Sequence, residues 1–238
     1  MTEPAPLALI DVCAGYGRIE ILHNIDLEVR AGELTALLGP NGAGKTTALA
    51  VMSGLITPMS GCLHVRGRHI NGADAEELAR IGISHVREGR SVFPNLSVDD
   101  NLQVAASTGA SLEKLRDVAF SMFPILHQRR SQLAGTMSGG EKQMLALTCG
   151  LGIDPSVLLI DELSMGLAPL IVDKLFEAVA EVAATGVTVL VVEQFATIGL
   201  RYASNVAVLA HGTVQYSGPA ANAMSAIETA YLGTEKAG

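Results

Sequence analysis

The chain has 238 residues, with 24 acidic against 16 basic side chains and a formal net charge of −8, a balance that argues against a nucleic-acid-binding surface. Hydrophobic residues make up 49% and charged residues 17%, so the composition is that of a folded globule and not of a disordered chain. The length suits one α/β domain over residues 1–238 and is too short for two nucleotide-binding domains.

The three cysteines (Cys13, Cys62 and Cys149) and the six histidines show no metal-ligand spacing along the sequence, which fits a reducing compartment better than a disulfide framework. The opening residues "MTEPAPLALI" place an acid where a signal peptide has its basic region. No run reaches ~18 uncharged apolar residues, so no bilayer span is expected. Mean hydropathy is nonetheless high at +0.36, which implies either a large Ala- and Val-rich core or some apolar surface that belongs to a partner.

Taken in chain order, "ALIDVCAGYG" (8–17) and "IDLEVRAGE" (25–33) predict short strands, antiparallel and flanking the main sheet. "LTALLG" (34–39), "SVLLIDE" (156–162) and "VTVLVVEQ" (187–194) are continuous apolar runs, the pattern of parallel strands buried on both faces. "KTTALAVMSGL" (45–55) reads as the helix after the first of these. From about 89 to 151 helical patterns dominate, with a Ser97-x-x-Asp100 start, which predicts a helical subdomain inserted into the core. "VAVLAHGTVQYSG" (206–218) reads as a hairpin turning at His211-Gly212.

The residues that carry chemistry begin with "GPNGAGKTT", which is Gly39, Pro40, Asn41, Gly42, Ala43, Gly44, Lys45, Thr46 and Thr47. It fills the pattern G-x-x-x-x-G-K-[ST], whose chance occurrence is on the order of one in 10⁵ per site. Glycines let backbone N–H groups curl around phosphate while the following helix aims its positive end at the anion. Lys45 is placed to reach the β- and γ-phosphates of ATP, and the Thr46 hydroxyl to ligate Mg²⁺. "VLLIDE" ends a buried strand with Asp161 and Glu162, at the edge where ligands of open α/β sheets gather. Asp161 is placed to hold Mg²⁺ through water, and Glu162 to orient or deprotonate the attacking water. Tyr16 offers an aromatic face for adenine, or simply fills a turn. His85 is the one histidine near this region, and a structural role is expected for it.

"MSGGEKQ" (137–143) contains a second anion-type turn. Ser138 and Glu141 form a capping box at a helix start. Gly139 and Gly140 are costly there unless something approaches the backbone closely. One chain with one nucleotide has no need of this turn. Two chains arranged head-to-tail do, each offering it to the γ-phosphate held by the other.

Together "YG" (16–17), "LLGPNGAGKTT", "VREGRSVFPNLSVDDNL", "MSGGEKQMLAL", "VLLIDELSMGLAP" and "VTVLVVEQ" resemble the ATP-binding subunits of ABC transporters almost from end to end. The resemblance implies a RecA-like P-loop NTPase core with an N-terminal antiparallel part and an inserted helical subdomain. It also implies an ATP sandwich with a second ATPase chain, and a peripheral position on the cytoplasmic face of a membrane against permease subunits. "EGR.VFP.L" (88–96), "GLAPLIV" (166–172), "VEQ" (192–194) and "AYLG" (230–233) are most similar to the smaller ATPase subunit of branched-chain amino acid importers, which work with an extracytoplasmic solute-binding protein. That similarity implies Glu88 where most members have Gln, still a hard oxygen ligand for Mg²⁺. It implies Gln194 in place of His, still a hydrogen-bond donor to the γ-phosphate and a member of the catalytic set with Glu162 and Lys45. Arg87, Lys142, Cys149 and Leu163 depart even from this pattern, and none removes a group expected to touch phosphate, metal or water. The rivals are a soluble ABC ATPase outside transport, a nucleotide-binding module that does not hydrolyse, and a P-loop small-molecule kinase, which the Ser-Gly-Gly turn disfavours.

Overall fold

The computed structural model describes residues 4–107 and 109–232. Gly233, the last residue of the "AYLG" stretch, lies outside them. In chain order the elements are β1 (Leu7–Tyr16), β2 (Ile19–Val29), β3 (Leu34–Leu38), α1 (Lys45–Met52), β4 (Ser60–Val65), β5 (Arg68–His69), α2 (Ala75–Arg80) and β6 (Ile83–Val86). Then come α3 (Val98–Ala106), α4 (Leu112–Met122), α5 (Pro124–Gln128), α6 (Gly139–Gly150), β7 (Val157–Asp161), α7 (Pro169–Ala184) and β8 (Thr188–Glu193). The chain finishes with α8 (Ala196–Tyr202), β9 (Asn205–Ala210), β10 (Thr213–Pro219) and α9 (Met224–Leu232).

Two sheets form. The larger has the order β10-β9-β3-β8-β7-β6, parallel except for the antiparallel β9–β10 edge. Its central strands alternate between two cores, as continuous apolar runs require. Leu37, Leu159, Leu190 and Val192 face one core, which also takes Leu49 and Met52 of α1 and the inner face of the smaller sheet. Ala36, Leu38, Leu158, Ile160, Val189 and Val191 face the other, with the helices α3 to α7.

The smaller sheet is antiparallel, in the order β2-β1-β4-β5. The sequence predicted only its first two strands. β4 and β5 are short and polar on one face, so they lack a continuous apolar signature. α1 stops at Met52, short of the predicted Leu55, because Gly54 turns left-handed (φ 70) just past the end.

Helices α3 to α6 lie between β6 and β7, inside the predicted 89–151 stretch, but the first begins only at Val98. Ser97 Oγ accepts from Asp100 N (3.1 Å) and Asp100 Oδ2 accepts from Ser97 N (3.3 Å), the expected capping box. The loop before it is pinned by Asn101, 2% exposed, which accepts from Phe93 N (2.7 Å) and donates to Phe93 O (3.0 Å). The C-terminal hairpin turns at His211 and Gly212, both with positive φ (49 and 73), as two-residue hairpins favour.

Candidate functional site

The candidate phosphate loop runs between β3 and α1. Its first glycine cannot be replaced, because a Cβ on Gly39 would lie 2.2 Å from the carbonyl oxygen of Leu209 on β9. The Gly39 N–H donates to the Tyr231 hydroxyl (2.9 Å). Gly212 N, in the hairpin turn, donates to Ala43 O (3.1 Å). The loop is therefore braced from behind by the last quarter of the chain. Lys45 is buried, and its ammonium donates to Gly39 O (2.8 Å) and Pro40 O (3.1 Å), which holds it over the loop. Burial lowers its pKa, while the nearby Glu162, Asp161 and Glu193 charges act to raise it. Asn41, Gly42 and Thr46 are exposed, and Thr47 is buried in α1.

The two carboxylates follow at the carboxyl end of β7. Asp161 is 8% exposed and its Oδ1 is buried with no hydrogen-bond partner. Burial pushes its pKa up to about 6, the Glu162 and Glu88 charges push the same way, and Lys45 and Arg87 oppose them. Glu162 sits just beyond the strand in a left-handed conformation (φ 47), with its N–H donating to Val192 O (3.1 Å). A non-glycine residue held there costs roughly 1–3 kcal/mol, and such strain gathers at functional positions.

A cavity of about 460 Å³ is lined by Tyr16, Thr46, Glu88 and Asp161, so residues far apart in sequence share one space. Its donor set is a hydroxyl and two carboxylates, one with an orphaned buried oxygen. That set fits a hard divalent cation of the Mg²⁺ type. His85 also lines the cavity, with both ring nitrogens buried and unpartnered. Burial, and then Arg87, pushes its pKa down to about 4, so it stays neutral across the working range.

The Ser138 turn does not line this cavity; Gly139 lines a second one, of about 350 Å³, that shares Arg87 and Glu88 with it. Ser138 caps α6, with Glu141 Oε2 accepting from Ser138 N (3.0 Å) and Ser138 Oγ accepting from Glu141 N (3.4 Å). Ser138 and Gly139 are exposed. At the second glycine packing adds a requirement of its own. A Cβ on Gly140 would lie 2.6 Å from Ile171 Cγ2, so close packing against α7 also demands glycine there.

The ABC transporter family model matches residues 22–164. The chain belongs to that family. It is 38% identical over 95% of its length, and 99% of the relative's, to the high-affinity branched-chain amino acid transport ATP-binding protein BraG of Pseudomonas aeruginosa. It is 34% identical, over 90% and 92% of the two lengths, to the probable branched-chain amino acid transport ATP-binding protein LivF of Archaeoglobus fulgidus. Among solved structures, a nucleotide-free ATP-binding cassette of an ABC transporter superposes with a TM-score of 0.84 at 23% identity, covering 96% of each chain. A dimeric post-hydrolysis cassette bound to ADP and phosphate superposes with a TM-score of 0.77 at 24% identity, covering 90% of this chain and 98% of that one. At these identities the two structures speak for the fold alone.

Within this ABC ATPase, two residues that sequence reasoning did not single out complete the site. Glu193, 1% exposed, accepts from Ser164 N (3.0 Å) and Ser164 Oγ (2.6 Å). It thereby fastens β8 to the segment that follows Glu162. Burial pushes its pKa up to about 7 against those hydrogen bonds, and the Glu162 charge adds to the rise. Tyr231 of α9 accepts from Gly39 N and donates to Gln194 O (2.7 Å), so one hydroxyl ties the phosphate loop to the half-buried Gln194. "AYLG" signals this residue only as a subfamily mark, because nothing in its spacing points back to position 39.

The departures also find places. Leu163 is fully buried in the core, and Lys142 donates to Gly135 O (3.0 Å), tying α6 to the turn before it. Arg87 N donates to Ser91 Oγ (2.7 Å), which closes the loop that carries Glu88. Burial pushes the Cys149 thiol up to about 12, which leaves it unreactive.

Tyr231→Phe should weaken ATP binding roughly tenfold, because it strands the Gly39 N–H without its acceptor at a cost of about 1–3 kcal/mol. Titration with a fluorescent ATP analogue measures this. Unchanged affinity in a folded variant would mean that the hydroxyl does not hold the loop.

Proposed function

We propose that this ABC ATPase powers the import of branched-chain or similar small apolar amino acids, as a peripheral subunit at the cytoplasmic face of a membrane permease. Two observations support the reading. The likeness to branched-chain amino acid transport ATP-binding proteins extends over almost the whole of both chains. Among the described residues no helix is long and apolar enough to cross a membrane, and in this reading the solute's path belongs to a permease subunit.

In this reading Gly39 to Thr47 cradle the phosphates, Lys45 neutralises them, and Tyr16 stacks on adenine. Thr46, Glu88 and Asp161 would hold Mg²⁺, which when bound supplies charge neutralisation of the β- and γ-phosphates. Glu162 acts as general base on the attacking water, and Gln194 donates a hydrogen bond to the γ-phosphate. The observation that carries the pairing is the exposed Ser138–Gly139 turn, lying outside the cavity of its own Thr46. A second ATPase chain, identical or homologous, completes each nucleotide site with that turn, and a solute-binding protein delivers the amino acid from the far side.

Phe93 is 56% exposed, on a loop that Asn101 holds rigid, and it lines a groove with Val104 and Cys149. It is the residue we assign to permease docking. Phe93→Asp should leave ATP binding by the isolated chain unchanged and abolish coupled uptake. Loss of ATP binding in the isolated variant would rule out a docking role.

The reading is tested by deleting the chain from its host and following radiolabelled leucine, isoleucine and valine uptake. Uptake should fall and return with the parent chain, but not with Glu162→Gln. Unchanged uptake of all three in the deletion strain, with the purified parent chain active as an ATPase, would overturn the assigned solute.

A further inference from the structure

Three side chains outside the nucleotide site converge on the smaller sheet. β4 buries Leu63 and Val65 and turns Cys62 and His64, two residues apart, to its other face, where they are half-buried. The Arg66-Gly67 turn (φ 49 and 73) then reverses the chain and sets His69 of β5 directly opposite His64.

Ile70 N donates to Leu63 O (2.9 Å), so Leu63 and Ile70 are a hydrogen-bonded pair. His64 and His69 are therefore the non-hydrogen-bonded pair beside it, the kind with the closer side chains. Their ring centroids are 5.8 Å apart and the rings are tilted by 53°. The Cys62 sulfur and one nitrogen from each imidazole all lie within 4.8 Å of one another. Asn71 holds the hairpin in shape, accepting from Leu63 N (2.7 Å) and donating to Gly61 O (2.7 Å).

We propose that Cys62, His64 and His69 form a binding site for a zinc-class divalent cation. A thiolate with two imidazoles is a soft-to-borderline donor set that favours Zn²⁺ and its neighbours over Mg²⁺ or Ca²⁺. With metal–sulfur bonds of about 2.3 Å and metal–nitrogen bonds of about 2.0–2.1 Å, the donors need to close by only about 1 Å through side-chain rotation. Three protein ligands leave a fourth tetrahedral position for water or another group. Binding releases the Cys62 thiol proton to solvent.

The cation would staple β5, a two-residue edge strand, to β4. The sequence hides this site because its third ligand arrives through strand pairing and not through spacing. Cys62 pairs with Ile10 and Tyr16 lies six residues further along β1, about 20 Å at ~3.3 Å per residue, so the site is separate from the nucleotide cavity.

The test uses the tag-free, nucleotide-free full chain. Zn²⁺ is titrated against a chromophoric chelator, and Co²⁺ substitution is followed by absorption. One cation per chain should bind, and the Co²⁺ form should show a thiolate charge-transfer band with the intense d–d bands of tetrahedral coordination. Cys62→Ser should remove the charge-transfer band, and His64→Ala and His69→Ala should each weaken Zn²⁺ by more than about tenfold. Cys13→Ser should change neither. Zn²⁺ should raise the Tm of the parent and not of a variant carrying Cys62→Ser, His64→Ala and His69→Ala together, while Mg²⁺-dependent ATPase activity stays the same in all. His69 is exposed, so its variant keeps the test open if Cys62→Ser folds poorly. Absence of the charge-transfer band, its survival in Cys62→Ser, or an unchanged Zn²⁺ affinity in His69→Ala would each overturn the site.

Discussion

Glu162→Gln should bind ATP like the parent chain and hydrolyse it roughly 10²–10⁴-fold more slowly, the range expected for loss of a general base. The substitution keeps the side chain's size and leaves the left-handed backbone at this position with a residue of similar tolerance. The capacity to accept a proton from water is lost, together with the negative charge that Glu162 presents to Lys45, Asp161 and Glu193. With hydrolysis blocked, two chains closed on ATP have no route to open, so the variant should accumulate as an ATP-bound dimer with whichever ATPase chain is its partner. Single-turnover hydrolysis and light scattering in Mg²⁺ and ATP measure the two consequences together. Steady turnover at the parent rate would move the general base to another residue. A slow variant that never dimerises would separate the chemistry from the closure.

Glu193→Gln should change how stability depends on pH. The Glu193 pKa rises from 4.5 to about 7, chiefly by burial, so between those values the folded chain holds a proton that the unfolded chain has released. Stability therefore falls as pH rises through that window and levels off above it. For a side chain 1% exposed, the full excursion is on the order of 3 kcal/mol. Glutamine can keep both links to Ser164, accepting from its N–H and donating to its hydroxyl, without ever acquiring a charge. The variant should be the more stable of the two at pH 8 and about equal to the parent at pH 4.5. Asp161, raised to about 6, gives a slope of the same sign in both proteins, so the difference between their denaturation curves isolates Glu193. A difference that does not vary from pH 4.5 to 8 would mean that Glu193 titrates like an exposed acid.

The parts of the fold legible in the sequence are those in which the physics is local. The continuous runs at 34–39, 156–162 and 187–194 became central strands because burial on both faces requires such runs. The capping boxes at Ser97 and Ser138 formed because each pairs groups three residues apart. β4 and β5 were missed because the alternation Leu63-His64-Val65 is too short to stand out and Arg66-Gly67 is not a favoured turn pair.

The same division holds in the candidate site. The loop at 39–47 and the pair Asp161–Glu162 announce themselves. Glu193 does not, because its raised pKa depends on Ser164, 29 residues away, and on the burial of a strand end. Gly140 was legible as a constrained position, but its partner Ile171 belongs to a helix met only after folding.

The bracing of the phosphate loop sets an order of events during synthesis. Gly39 leans on Leu209 and Tyr231, and Ala43 on Gly212, partners that leave the ribosome roughly 170 to 190 residues after the loop itself. A nascent chain with its motif already exposed therefore has the sequence of a nucleotide cradle without its shape. Long-range contacts of this kind form late and slowly. A chain cut short before the hairpin at 206–218 should therefore bind nucleotide weakly, however intact its signature residues.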